Sequence, residues 1–394
     1  MKIVIPRFDF IILCLLFSFF LFPISTSNGI SINYSFALFP MVLILFKNNL
    51  KLHKSLIYII FYYLIIALYG IISRSFLDDS LVIRTITSFL IFISIFLYSF
   101  IDIDSEKVKI FKLSILLVSI IFSLVSIFNF FSLGGNEIAY ELKDLIGTQR
   151  FGFILILGFF LLLHFNFNTY YFNSFKILFL TVIFIGIGLT FSRASIIALL
   201  IVLTIFLTSK LNFKKINFLK FLFSSSALIL ISSVMLYYLY NTFPFVFLFF
   251  DEWIIGRFFN PDYDLLDFES SEGMRIYLYL DIITYVLKNP INGSSFLGVW
   301  FIDSLANSAH NQYLDVLFRT GFIGFLIYIY LIFKISNFLY LYDKGLFWGF
   351  LGILFYGLFH ETFKESQGAF IFSFLLGVTF NYNIKKNVKK ILYK

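Results

Sequence analysis

The chain has little charge, almost no cysteine and few clustered acids. Only 13% of its 394 residues are charged, about half the share usual in a water-soluble domain. That scarcity excludes a soluble enzyme and a disordered, self-repelling chain. Cys14 is the single cysteine, so neither an intrachain disulfide nor a cysteine-based metal centre can form, and a secreted disulfide scaffold is excluded. The acids Asp251, Glu252, Asp262, Asp264, Asp267, Glu269 and Glu272 lack the ligand spacing of a calcium loop. They read as a solvated stretch, and no metal or other cofactor is expected.

What is abundant is apolar surface. Hydrophobic residues make up 60% of the chain, and phenylalanine alone supplies 60 residues. The net charge of +8 raises nucleic acid as a partner, but the phenylalanines lie inside apolar runs, which suits lipid-facing helices better than a base-stacking platform. Runs long enough to cross a bilayer fall at about 8–26, 32–47, 55–73, 81–101, 111–132, 151–166, 176–191, 193–209, 218–240, 312–333, 346–360 and 367–382. The expected fold is therefore all-α: a polytopic transmembrane bundle of about 12 helices, forming one integral membrane domain over residues 1–394. The first run follows Lys2 and Arg7 like a signal peptide, but Pro23 to Gly29 makes a poor cleavage site, and an uncleaved helix is the favoured reading.

Twelve spans put both termini on one side, and the basic residues test that count. With the amino terminus cytoplasmic, 20 of the 30 basic residues fall in cytoplasmic segments, and 19 of those are lysine. The remaining ten, on the other face or in the spans, are Arg74, Arg84, Lys143, Arg150, Arg193, Arg257, Arg275, Lys288, Arg319 and Lys364. The excess supports the topology. The arginine-rich remainder points to chemistry, because a planar guanidinium grips phosphate through paired hydrogen bonds. The lysines at 385, 386, 389 and 390 form a tail suited to anionic headgroups.

One connection is long. Residues 241–311, between the ninth and tenth spans, form an external loop that carries the turn signals Asn260-Pro261, Asn289-Pro290 and Asn292-Gly293. Between Gly273 and Leu287 the apolar positions recur at helical spacing, so Arg275 opens a short helix lying along the membrane surface. His310 ends the loop at the mouth of the tenth span. An imidazole there can serve as a general base near neutrality, though a lone histidine at an interface can equally be a solvated bystander.

The surrounding pattern decides between these readings. His310-Asn311, nine residues, Gly321, two residues and Gly324 resemble the signature of the O-antigen polymerase and O-antigen ligase superfamily. Ser192-Arg193, opening a span, and Gly273-Met274-Arg275 followed by Asn289-Pro290-Ile291-Asn292-Gly293 resemble two further features of it. The motifs cover about residues 147–335. The resemblance implies a multi-pass protein of the bacterial inner membrane, with cytoplasmic termini and a periplasmic site. It implies transfer of a glycan from undecaprenyl pyrophosphate without a metal.

By position, His310 resembles the catalytic base, and Arg193 and Arg275 resemble the diphosphate binders. Arg319, Arg150 and Glu361 are further substrate-binding candidates. Asp315 and Arg319 stand four apart and share a helix face, so pairing competes with a ligand role. Expected partners are the lipid-linked donor and acceptor and the surrounding lipids, with a chain-length regulator as a candidate and nucleic acid excluded. A polymerase is favoured, an O-antigen ligase acting on lipid A core is the alternative, and a polysaccharide transporter or flippase is the second alternative.

Overall fold

A computed structural model describes residues 53–75, 78–100, 103–132, 152–165, 170–190, 192–210, 271–303, 308–363 and 365–380. The expected runs at 8–26, 32–47 and 218–240, the loop stretch 241–270, Arg150 and the lysine tail lie outside them. The described residues are about 85% helical and hold no strand.

In chain order the helices are α1 (Lys54–Arg74), α2 (Asp79–Ile93, continued as a tighter 3-10 turn over Ser94–Phe100), α3 (Ser105–Ser132), α4 (Gly152–His164), α5 (Tyr170–Gly188), α6 (Arg193–Lys210), α7 (Ser271–Lys288), α8 (Gln312–Tyr342), α9 (Lys344–Tyr356) and α10 (Ser366–Phe380). All but α7 follow an apolar run named above, and α7 covers the helix expected between Gly273 and Leu287. Among the described residues, four segments are long and apolar enough to cross a membrane: Lys54–Arg74, Asp79–Phe100, Ser105–Phe128 and Gln312–Tyr342. Five shorter apolar helices pack among them. The chain is thus a multi-pass membrane protein.

Helix caps set the boundaries. The Asp78 carboxylate accepts from the Ser80 amide at the start of α2, and the Asp343 carboxylate accepts from the Leu346 amide at the start of α9, each satisfying a donor with no partner inside its helix. Small residues let the helices approach closely. An added Cβ on Gly158 would strike Ser119 of α3, and one on Gly186 would strike Ser123 of α3, the small-against-small packing that membranes favour where hydrophobic attraction is absent.

The bundle has two chemically distinct ends. At one, Lys112 pairs with Asp343 at 2.6 Å, and Lys176 donates to the Leu163 and Phe165 carbonyls at the end of α4. Lys54, Lys107, Lys109, Lys210 and Lys344 stand at helix termini of that same end. Arg74, Arg84, Arg193 and Arg275 stand at the opposite end, with Arg84 4.2 Å over the Trp300 ring. Such a stack stabilises by about 0.5–2 kcal/mol. The division of lysine from arginine expected from the sequence is therefore realised in space for the described residues.

Candidate functional site

The site begins with a broken helix. As a continuous rod, the 31 residues of α8 would run about 46 Å, well past the roughly 30 Å hydrocarbon core. Gly321 interrupts them with φ 67° and ψ −173°. This differs from the single span expected at 312–333: a short segment ending at Thr320 is set apart from a membrane-length rod running to Tyr342.

The turn after α7 is stitched into the break. The Ser294 amide donates to the Phe318 carbonyl at 2.6 Å, the Phe296 amide to the Arg319 carbonyl at 3.0 Å, and the Phe322 amide to the Pro290 carbonyl at 2.8 Å. Backbone groups freed by the break thus find partners in the turn, as a low-dielectric setting demands. Gly324, one turn on, receives the Tyr63 hydroxyl at 2.8 Å on its carbonyl.

The turn itself is strained. Gly293, Ser295 and Phe296 hold φ values of 54°, 46° and 71°, a region costly for side chains larger than glycine. Arg74 holds it in place. Its guanidinium donates to the Ser294 carbonyl, to the Ser295 carbonyl at 3.1 Å and to the Thr85 hydroxyl at 2.9 Å. Sequence reading placed Arg74 only among the residues outside the cytoplasmic segments, because no local pattern marks a side chain whose carbonyl partners lie some 220 residues away. Arg74→Ala is expected to lower stability by about 3 kcal/mol, since the buried carbonyls lose charge-assisted partners. Arg74→Lys should recover little, because an ammonium cannot reproduce the planar fork. Thermal midpoints in detergent check both.

His310 sits where this assembly meets the turn between α9 and α10. It is held at φ 48°, and its neighbours are fixed on both sides. The Ala309 amide donates to the Glu361 carboxylate at 2.6 Å. The Asn311 amide group donates to the Leu358 carbonyl at 3.0 Å. The Gln312 amide donates to the Gly357 carbonyl at 2.8 Å, and the Gln312 side-chain oxygen accepts from the Phe363 amide at 2.7 Å. Asn311 also caps α8, its side-chain oxygen accepting from the Tyr313 and Leu314 amides. The His310 ring lies edge-on to His360, centroids 6.4 Å apart, and His360 in turn stacks on Tyr356 at 4.8 Å. Glu361 is thus a buried brace of the His310 loop.

Arg275 reaches the same place along α7. Three residues on from it, Leu278 packs in one apolar cluster with Ala309, the residue before His310, and one turn on the Tyr279 hydroxyl feels the charges of both Arg275 and Glu361. Burial raises the Tyr279 hydroxyl above the ordinary phenol range. Arg275 and the Asn311 side chain pull it down, and Glu361 pushes it up. The net direction is upward, so the phenol stays protonated across the neutral range. Sequence reading passed over Tyr279, although its four-residue spacing from Arg275 was a usable signal.

Arg193 opens α6 at this end. Ser192 before it and Ser195 after it are buried. The Ser195 hydroxyl meets no hydrogen-bond partner among the described residues. It faces Gly152, where any side chain would collide with it, and the Tyr356 ring lies just beyond. A line of contact therefore runs from the Arg193 turn through Ser195, Gly152, Tyr356 and His360 to His310. The helix amino terminus adds its own partial positive charge beside Arg193.

Arg319 is committed to pairing. Its Nε lies 2.8 Å from both Asp315 carboxylate oxygens, and its Nη1 donates to the Phe296 carbonyl at 3.2 Å. The pair lines a cavity of about 40 Å³ together with Ser88, Phe92, Gln312 and Tyr328, room for about three waters. The Tyr328 hydroxyl, fully enclosed there, has no hydrogen-bond partner among the described residues. Of the six residues singled out from the sequence, the structure sets Glu361 on the Ala309 amide beside His310, places Arg275 on the helix whose Leu278 packs with Ala309, sets Arg193 at the same end, and gives Arg319 a partner in Asp315. Arg150 lies outside the described residues. No grouping of three or more histidine, cysteine, aspartate or glutamate side chains suited to a metal occurs among the described residues.

Residues 177–329 match the family model described as O-antigen ligase. This range takes in the Arg193 turn, Arg275, Tyr279, His310, the Gly321 break of α8 and Gly324 one turn on. No curated protein matches the chain.

Proposed function

The match supports the O-antigen polymerase and ligase superfamily, and from that premise we propose that the chain is a metal-independent, inverting glycosyltransferase using a polyprenyl-diphosphate-linked glycan. The observation that carries the proposal is the convergence of the His310 loop and the Arg275 helix, where Leu278 packs in one apolar cluster with Ala309, at the end of the bundle where Arg193 opens α6. A glycosyl diphosphate leaves with two or more negative charges, which fixed cations can neutralise in the absence of a divalent ion. Arg193 and Arg275 supply those charges. His310 takes the proton of the acceptor hydroxyl as the new C1–O bond forms. The bond from C1 to the phosphate oxygen breaks, its electron pair leaves with the diphosphate, and the anomeric centre inverts. Arg319 and Asp315 serve from behind, holding the Phe296 turn.

The repeat-joining polymerase is the favoured member. It works at the periplasmic face of the inner membrane, with a second undecaprenyl-linked repeat as acceptor and a chain-length regulator as a candidate partner. The second reading is a ligase that places the glycan on lipid A core. A deletion strain separates them on lipopolysaccharide gels. Single-repeat molecules support the polymerase, whereas loss of surface glycan with long chains held on the lipid carrier supports the ligase.

Arg193→Ala and Arg275→Ala are each expected to raise the KM for the lipid-linked donor about tenfold or more, the effect of one lost charge-assisted contact to a phosphate. Lysine at either position should rescue in part, restoring charge without the fork. Titration of the donor with purified protein in detergent measures this, and wild-type KM in both alanine variants would remove the diphosphate assignment.

A further inference from the structure

We propose that Arg84 binds the diphosphate of the lipid-linked acceptor, at a second anion site beside the one assigned to the donor. The role rests on the repeat-joining reading, in which two lipid diphosphates meet in one turnover. The other arginines of the described residues are occupied or assigned. Arg74 donates to the Ser294 and Ser295 carbonyls and to Thr85, Arg319 is paired with Asp315, and Arg193 and Arg275 face the donor. Arg84 is exposed, and its guanidinium makes no hydrogen bond or ion pair among the described residues. It lies 4.2 Å over the Trp300 ring. An aromatic face attracts the cation without accepting a conventional hydrogen bond, so the fork of N–H donors is steadied and still open to a phosphate. Of the two acids that open α2, Asp78 is held by the Ser80 amide and hydroxyl. Asp79 stands five residues before Arg84, on another face of the helix.

Depth and surroundings fit a lipid-borne anion. Arg84 lies about 7.5 Å inside the start of the membrane-length segment Asp79–Phe100, near headgroup level. Ile83, Ile86 and Leu90 of the same helix are exposed and offer an apolar face to a polyprenyl chain. Nearness to the base distinguishes Arg84 from an anchor for bulk headgroups. Trp300 stands against Gly298, where an added Cβ would meet the indole at 2.9 Å and Nη2 of Arg319 at 3.4 Å. Ser88, one turn on from Arg84, lines the same cavity as Gln312, two residues after His310. Arg84 therefore approaches the His310 loop from α2, whereas Arg275 approaches from α7 and Arg193 from α6. Two diphosphates repel each other and need separate cations, and these stand on separate elements.

Probes that can only donate or only accept test this. A lipid-diphosphate repeat capped at its acceptor hydroxyl can only donate. A repeat whose anomeric oxygen is replaced by CH₂ keeps both phosphorus charges and can only accept. With purified protein in detergent, Arg84→Gln is expected to raise KM for the accept-only lipid about tenfold, with KM for the capped donor within about twofold. Arg84→Lys should recover part of the loss. The difference should vanish when the accepting glycan is carried on an uncharged alkyl chain. Native mass spectrometry with polyprenyl diphosphate bearing no glycan supplies a readout free of turnover: a second bound lipid on the wild-type chain should be largely lost from Arg84→Gln. Unchanged KM for the accept-only lipid overturns the site, as does equal impairment with the uncharged acceptor. Loss of bound phosphatidylglycerol with both lipid diphosphates retained also overturns it and makes Arg84 a headgroup anchor. Loss of the second lipid diphosphate from a protein that transfers no glycan keeps the second anion site and removes the transferase reading instead.

Discussion

His310→Ala is expected to reduce glycan transfer by a factor of about 10²–10⁴, the usual contribution of a positioned general base, while binding of the lipid-linked donor stays near wild type. The separation follows from the geometry: the charges assigned to the diphosphate sit on α6 and α7, and the imidazole sits on the loop leading into α8. Loss of fold must be distinguished from loss of chemistry, because His310 occupies left-handed backbone at φ 48°. Alanine pays a conformational cost there of about 1 kcal/mol. His310→Asn is the sharper variant, since asparagine tolerates the left-handed region and cannot accept the acceptor proton. A thermal midpoint near wild type together with lost transfer in His310→Asn would assign the loss to the missing base. Transfer at the wild-type rate in either variant would remove His310 from the chemistry.

The helices were legible because a membrane imposes a simple rule: about twenty apolar residues, or fewer in a buried helix, between polar ends. Thus α1, α3, α6 and α10 follow their apolar runs to within a few residues at most ends. The two faces were legible because lysine and arginine divide between them, and Lys112 and Arg193 do stand at opposite ends. The Asp315–Arg319 pair was legible from its spacing. Tertiary links of long sequence separation were not. Tyr63 reaches Gly324 and Arg74 reaches Ser294 across more than two hundred residues, and no local periodicity encodes such contacts. The break in α8 was hidden for a different reason. Glycines occur in membrane helices as packing residues, and Gly158 and Gly186 do serve that purpose, so Gly321 in an apolar run reads as one more of them. The nine residues between Asn311 and the first glycine of the signature now have a physical meaning: they are the half-helix that carries Asp315 and Arg319 back to the turn braced by Arg74.

That account makes Gly321 the position where a single methyl group should do most damage to the fold. Gly321→Ala is expected to destabilise by more than about 4 kcal/mol, in the range reserved for named mechanisms acting together. Two act here. The backbone at φ 67° and ψ −173° lies in a region that is essentially glycine's alone. An added Cβ would also stand 2.5 Å from the Ile291 carbonyl oxygen and 2.6 Å from that of Pro290, backbone atoms that cannot rotate away as a flexible side chain could. Relief requires the 289–296 turn to withdraw, which breaks the Phe322–Pro290 hydrogen bond and pulls on the Ser294 and Phe296 amides that satisfy the end of the half-helix.

The choice of control separates the two causes. Asparagine accepts left-handed helical backbone, but only near ψ +47°, so Gly321→Asn should fail as badly as alanine. Gly188→Ala, at a glycine where an added Cβ meets none of the described residues within 4 Å, should leave the thermal midpoint unchanged or slightly raised, as expected for alanine replacing glycine in a helix. Folded yield and thermal midpoint in detergent measure all three. A Gly321→Ala protein as stable as wild type would mean that α8 runs straight through this position, and the stitched turn, the Arg74 clamp and the placement of His310 would lose their common support.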